Sequence, residues 1–303
     1  MKRYYSRGKL MLTGEYLVLT GAQSLALPLI YGQDLSAERV PTEHLQWTSY
    51  DYNGNTWFEG LYNPEKAAWE KASDLGTADI LQGMLRECVK MNSVLRLDGW
   101  KIETRLEFDR KWGWGSSSTL INNMAQWALV DAFTLSERTL GGSGYDIACA
   151  QSVQPILYKI EKGKGVFEAV NWQPPFSRSI FFAFTGKKRD SRQATAQFDR
   201  NRDYSAEVQQ MDLLTRAMMR TADVKEFERL TLHHEALVSE VLGQKTVQKE
   251  FFQDFPGAIK SLGAWGGDFI MAVSQEEEAS VRNYFRSKEL DPVFRFDEII
   301  SQV

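Results

Sequence analysis

Apolar positions recur along this chain in two rhythms, one near every 3.6 residues and one near every second residue. The helical rhythm is clearest over 77–92, where Ile80, Leu81, Met84, Leu85 and Cys88 share a face. It returns after a glycine- and serine-rich run, Gly113 to Ser118, with Leu120, Ile121, Met124, Trp127 and Ala128 in step. Two longer helical patterns cover about 203–221 and 224–243, and a last one begins near Glu276 to Glu278. Extended patterns occupy 4–32 (two strands), parts of 34–60, PILYKI, GVFEAVNW, SIFFAFTG and PVFRF. SVLRLDGWKIETRLEF reads as a β-hairpin turning at Asp98-Gly99. FPGAIKSLGAWGGDFIMAV reads as a short helix, a glycine turn and a strand. The texture changes at Gln173–Ser177, so the expected organisation is two domains, 1–173 and 174–303. In the second, strand, helices, strand, helix and strand predict a sheet with helices on one face, an α+β unit.

Composition narrows the function classes. The 303 residues suffice for two domains, and 43% hydrophobic with 25% charged residues is ordinary for a globular protein. A net charge of −4 argues against a nucleic-acid-binding surface. No apolar run is long enough for a transmembrane helix, and the basic N-terminus lacks the apolar core and cleavage site of a signal peptide. Cys88 and Cys149 have neither metal nor redox spacing. A cytoplasmic protein acting on a small molecule, without nucleic-acid or membrane partners, is expected, as a monomer or homodimer. The three histidines leave little scope for metal or histidine-base chemistry. The pair His233-His234 lies in an amphipathic helical pattern, where a partly exposed position is expected.

Four short stretches carry candidate chemistry. In WGWGSSSTL, Gly113 and Gly115 allow close backbone approach, and Ser116, Ser117 and Ser118 open a helix whose N-terminus favours anions. The same letters also suit a plain serine cap after a glycine turn. In GGSGYDIA, Asp146 falls in the first turn of a helix, where the dipole alone favours it; a general base is the other reading. Lys9 follows Gly8 at the head of a strand, either solvated or facing a site. Glu15, between Gly14 and Tyr16, interrupts an apolar run and is open to the same two readings.

SRGKLMLTGEYLVL, GWGSSSTLINN, GSGYDIA and LGAWGGDFIMAV, in this order over residues 6 to 272, resemble the GHMP kinase superfamily. The resemblance implies an α+β, two-domain fold, S5-like then ferredoxin-like, and a cytoplasmic kinase using ATP and Mg²⁺. It implies that Gly113, Gly115 and Ser116 to Ser118 wrap the ATP phosphates, and that Gly263, Gly266 and Gly267 form a second glycine loop closing over them. Ser117 would lie nearest Mg²⁺, with Glu137 as the acid. Asp146 would accept the acceptor's proton, and Lys9 would neutralise developing charge. Substrate contacts would come from Glu15, Tyr16, Ser143, Gly144 and the basic stretch Lys187, Ser191 and Arg192. GEY, GSGYDIA and GGD are closest to the phosphomevalonate kinase branch, so phosphomevalonate is the expected acceptor and mevalonate the alternative. A non-catalytic nucleotide or metabolite sensor is a further alternative, and a diphosphomevalonate decarboxylase-like relative is another. Three departures stand out: Ser6-Arg7 for Ala-Pro, Trp114 for Leu in the first glycine loop, and Trp265 for Gly in the second. The two indoles are expected either to pack over the nucleotide, to fill the place of a ligand group, or to pack together in a tightened cleft.

Overall fold

The computed structural model describes residues 1–186, 198–263, 265 and 267–300. They form two compact units: Met1–Gly8, Tyr31–Arg110 and Trp114–Gln151 in the first, Lys9–Ile30, Lys111–Gly113 and Ser152–Val303 in the second. The chain therefore crosses between units several times, and residues 173 and 174 both lie in the second. Strands β1 (Lys2–Met11) and β2 (Ser24–Arg39) each give one part to each unit.

In the first unit, β3 (Leu45–Tyr50), β4 (Thr56–Asn63) and β5 (Ala68–Ala72) form an antiparallel meander. Helix α1 (Leu75–Met91) follows, started by Asp74, whose carboxylate accepts the Thr77 N–H. β6 (Trp100–Leu106) then lies parallel to β3 and antiparallel to β2, with Gln33 opposite Leu106. The expected hairpin at Asp98-Gly99 is thus corrected. Gly99 does turn the chain (φ 69°), but no strand precedes it, and β6 finds its partners far away in sequence. The run before it forms no strand: Val94 is 81% exposed, and Leu97 is instead buried in the core of this unit. Helices α2 (Ser116–Ala128), α3 (Ala132–Thr139) and α4 (Tyr145–Gln151) complete the unit. Of the stripe read from sequence on α1, Leu81, Met84, Leu85 and Cys88 are buried against Ile121, Met124 and Ala125 of α2 and the sheet residues Leu35, Trp47 and Phe58, whereas Ile80 is 46% exposed. Each such aliphatic side chain contributes roughly 1.5–3 kcal/mol by leaving water.

In the second unit, the start of β2 pairs with β7 (Ile156–Glu161), Ser24 opposite Tyr158, and β7 pairs with β8 (Lys164–Ala169). Next come β9 (Ile180–Phe184), α5 (Ser205–Arg220), α6 (Val224–Leu242), α7 (Val247–Phe251), β10 (Ala258–Leu262), β11 (Phe269–Val273), α8 (Glu278–Ser287), β12 (Val293–Arg295) and α9 (Phe296–Ile299). The sheet order β10-β11-β9-β12, wholly antiparallel, is the ferredoxin-like arrangement. GAIKSL is a strand, not the expected short helix. All five residues of β10 are buried, and an apolar run of that length suits a covered strand as well as a helix. Phe181, Ile259, Ile270 and Ala272 pack one sheet face against Val247, Phe252, Val281 and Phe285.

Candidate functional site

In the first unit, the glycine-serine run does what its residue types allow. Gly115 adopts a left-handed conformation (φ 90°) and opens α2, and no side chain caps this helix start. α1, α3 and α6 are instead capped by Asp74, Asp131 and Asp223. The Gly115 carbonyl accepts from Thr119 N at 2.9 Å and from Ser118 Oγ at 2.9 Å, so the Ser118 hydroxyl is used within the turn. Ser117 is exposed and Ser116 half-buried. The N-terminus of α2 therefore presents main-chain N–H groups and a positive dipole end that no side chain caps.

α2 is held from behind by a buried polar network. Ser6 Oγ donates to Asn123 Oδ1 at 2.7 Å and accepts from Asn122 Nδ2 at 2.8 Å. Asn123 Nδ2 donates to the Gln33 carbonyl, Thr119 Oγ1 donates to Gln33 Oε1, and Gln151 Nε2 at the end of α4 donates to Asn122 Oδ1. Ser6, the departure from Ala, is thus matched by two asparagines facing it. α4 begins after Gly144 (φ 86°), whose carbonyl accepts from Ile147 and Ala148 N–H. Ser143 and Asp146 are half-buried there, Asp146 in the first turn. Glu137 is exposed on α3, and among the described residues no three acid, histidine or cysteine side chains cluster as a metal centre. Trp114 is a core residue, fully buried and stacked on Tyr31 at 6.0 Å, with Phe108 at 5.8 Å.

The second unit gathers the other candidates. Lys9 Nζ donates to the Gly113 carbonyl at 2.8 Å. Gly113 is left-handed (φ 66°), and a Cβ there would stand 1.8 Å from Asp268 Oδ2. Asp268 closes the second glycine loop, where Thr185 Oγ1 donates to the Gly267 carbonyl at 2.7 Å and Thr185 N to that of Asp268 at 3.0 Å. Gly263 opens the loop with φ 69°. Trp265, within it, is 6% exposed; its N–H donates to Tyr16 Oη at 2.9 Å and its indole Nε1 to the Lys245 carbonyl at 3.2 Å. Lys187, Ser191, Arg192 and Gly266 lie outside the described residues.

Glu15 is buried at 4% exposure, where it pairs with Lys260 Nζ and stands 3.2 Å from His234 Nε2. Burial alone would push its carboxyl up, but the Lys260 ammonium against it holds it below its usual range. His234 is driven the other way, kept neutral by burial and by Lys260. Its Nε2 accepts from Gly14 N at 3.1 Å. Beside it, Glu235 accepts from Ser261 N, Ser261 Oγ and Val247 N, and burial pushes its carboxyl up to about 7. The expectation of a partly exposed histidine pair holds for His233 alone; His234 is 1% exposed. The signal was present: counting from Phe227, Leu230 and Thr231, positions 234 and 235 continue the same buried stripe.

No protein-family model matches the chain, and no curated protein matches it. Solved structures do. Mevalonate kinase of Methanococcus jannaschii superposes with a TM-score of 0.73 at 12% identity, covering 100% of this chain and 98% of that one. The fold is the GHMP kinase fold. Two other structures with this GHMP kinase fold agree. Streptococcus pneumoniae phosphomevalonate kinase in complex with phosphomevalonate and AMPPNP gives a TM-score of 0.70 at 16% identity, covering 97% and 100%. Lactococcus lactis galactokinase complexed with galactose gives 0.68 at 13%, covering 97% and 92%. At these identities the likeness is one of fold. No described helix is long and apolar enough to cross a membrane.

Proposed function

We propose that this chain is an ATP-dependent small-molecule kinase, with phosphomevalonate as its acceptor and mevalonate as the second candidate. The observation that carries the reading is the start of α2. A left-handed Gly115 leads into three serines with no side-chain cap, on a fold shared with kinases, one of them solved with AMPPNP. Phosphates on that helix end would meet the N–H groups that no side chain caps. The acceptor oxygen attacks the γ-phosphorus, the bond to the β,γ-bridging oxygen breaks, and ADP leaves. Asp146 takes the acceptor's proton, and Lys9 offsets negative charge as it spreads over the transferred group. Mg²⁺ would neutralise phosphate charge when bound. Its fit rests on the exposed Ser117 hydroxyl, a hard oxygen donor beside the phosphates, since Mg²⁺ on a nucleotide needs few protein ligands.

The test is ADP release with ATP and Mg²⁺ against phosphomevalonate, mevalonate, homoserine and galactose in parallel. Turnover with phosphomevalonate alone is the expected result. Turnover with mevalonate alone replaces the acceptor and keeps the kinase. Tight ATP binding without turnover on any acceptor would move the reading to a nucleotide sensor, which the anchored Trp265 favours.

A further inference from the structure

Three consecutive residues, Gly14, Glu15 and Tyr16, attach to three different elements of the second unit. Gly14 N–H donates to His234 on α6, Glu15 pairs with Lys260 on β10, and Tyr16 Oη accepts from Trp265 N in the glycine loop. Their backbone is equally particular. Tyr16 has φ 64° and ψ −49°, and Leu17 N donates to the Glu15 carbonyl at 2.8 Å, which closes a γ-turn of the rare, strained kind. A bulky residue keeps such a conformation only where its surroundings over-determine it. Here they do: Tyr16 is 7% exposed, and its ring packs on Phe198 at 5.8 Å. Gly14 is required beneath it, because a Cβ there would stand 2.2 Å from Ser24 Oγ.

We infer that Glu15 and Tyr16 are positioning residues that fix β10 and Trp265 of the glycine loop, rather than contacts to the acceptor. Glu15 holds the strand entering the loop, through Lys260, three residues before Gly263. Tyr16 holds the loop itself, at the N–H of the tryptophan that stands where the kinases have glycine. The indole adds a second attachment at the Lys245 carbonyl. A glycine loop is ordinarily free to choose its path; this one is tied by its largest residue. Trp265 is therefore held in place before any nucleotide arrives. The effect on turnover rests on the kinase reading; the loop's order does not.

The test is amide hydrogen exchange at Trp265 in the full chain without ligand, comparing wild type with Tyr16→Phe. Losing one buried hydrogen bond is expected to speed that exchange about five- to tenfold, and with turnover established, to raise KM for ATP by a similar factor while KM for the acceptor stays unchanged. Unchanged exchange, or a rise in acceptor KM alone, overturns the inference. If Tyr16→Phe does not fold, Trp265→Phe reads the loop from its other attachment. It leaves the turn intact, removes the bond to Lys245, and is expected to speed exchange about two- to fivefold; wild-type exchange there overturns the inference. Because exchange needs no turnover, a chain that transfers no phosphoryl group still tests the anchor.

Discussion

Lys9 Nζ and the Gly113 carbonyl meet at 2.8 Å, joining by one hydrogen bond two residues 104 apart in sequence. The lysine is thus fixed by the loop that leads into α2, and Asp268 lies against the same glycine. Lys9→Met is expected to slow phosphoryl transfer by about 10²–10³-fold, the scale of losing one positioned charge at a transition state. The hydrogen bond to the Gly113 carbonyl itself contributes only about 1 kcal/mol to stability. Steady-state kinetics and a thermal melt check both; wild-type turnover would remove Lys9 from the mechanism.

Asp146→Asn separates chemistry from nucleotide binding. In the proposed reaction its carboxylate acts on the acceptor, so turnover is expected to fall by about 10²–10⁴-fold. ATP affinity, measured by calorimetry, should stay within about twofold of wild type. A parallel loss of ATP affinity would show that Asp146 holds the first turn of α4 in shape instead.

Gly113 has a steric prediction of its own. Alanine there needs a left-handed φ of 66°, costing roughly 1–2 kcal/mol, and its Cβ would meet Asp268 Oδ2 at 1.8 Å. Gly113→Ala is therefore expected to lower the melting temperature by several degrees. Adding Asp268→Ala should recover part of that loss, since it removes the carboxylate and leaves Cβ at 3.0 Å as the nearest atom. Equal melting temperatures for the single and double variants would refute the clash.

Much of this was legible in the chain because it is local. The α1 and α2 stripes, the left-handed glycines and Asp146 in its first turn all follow from residue type and spacing. What was not legible depends on distant partners. β6 looked like half of a hairpin, yet it pairs with β3 and β2. GAIKSL looked helical because a covered strand and a short helix share one apolar signature. Nothing near Lys260 announces that its ammonium is fully buried opposite a glutamate 245 residues earlier. His234 and Glu235 follow the buried period of their helix, but charged and imidazole side chains seldom occupy a core stripe unpaired, so residue type points the other way.

The Glu15–Lys260 pair carries a stability prediction. Lys260 is fully buried and Glu15 nearly so, so removing one charge strands the other. Glu15→Gln is expected to cost about 3–5 kcal/mol in urea unfolding. Glu15→Gln with Lys260→Met should be markedly more stable than the single variant, because two neutral side chains need no counter-charge. A double variant no better than the single would mean that the pair's charges are not what holds this region.

Glu235 gives the pH signature of the same cluster. Its carboxyl is raised from 4.5 to about 7, chiefly by burial and against the pull of Lys260, whereas His234 is lowered from 6.5. Among its charged neighbours, Lys260 pulls it down and Glu15 pushes it up. Between pH 4.5 and 7 the unfolded chain has released the Glu235 proton while the folded chain keeps it. Its contribution to stability therefore falls as pH rises through that window, by up to about 1.4 kcal/mol per unit. His234 works oppositely: neutral in the fold, it loses stability as pH drops below 6.5, where the unfolded chain binds the extra proton. The two slopes offset each other in the wild type. Glu235→Gln removes only the falling one and keeps one amide oxygen for the Ser261 and Val247 N–H groups. The variant's stability relative to wild type should then rise steadily from pH 4.5 to 7 and level off above, read by urea unfolding at half-unit steps. A difference that stays flat across that range would mean Glu235 is ionised in the fold throughout.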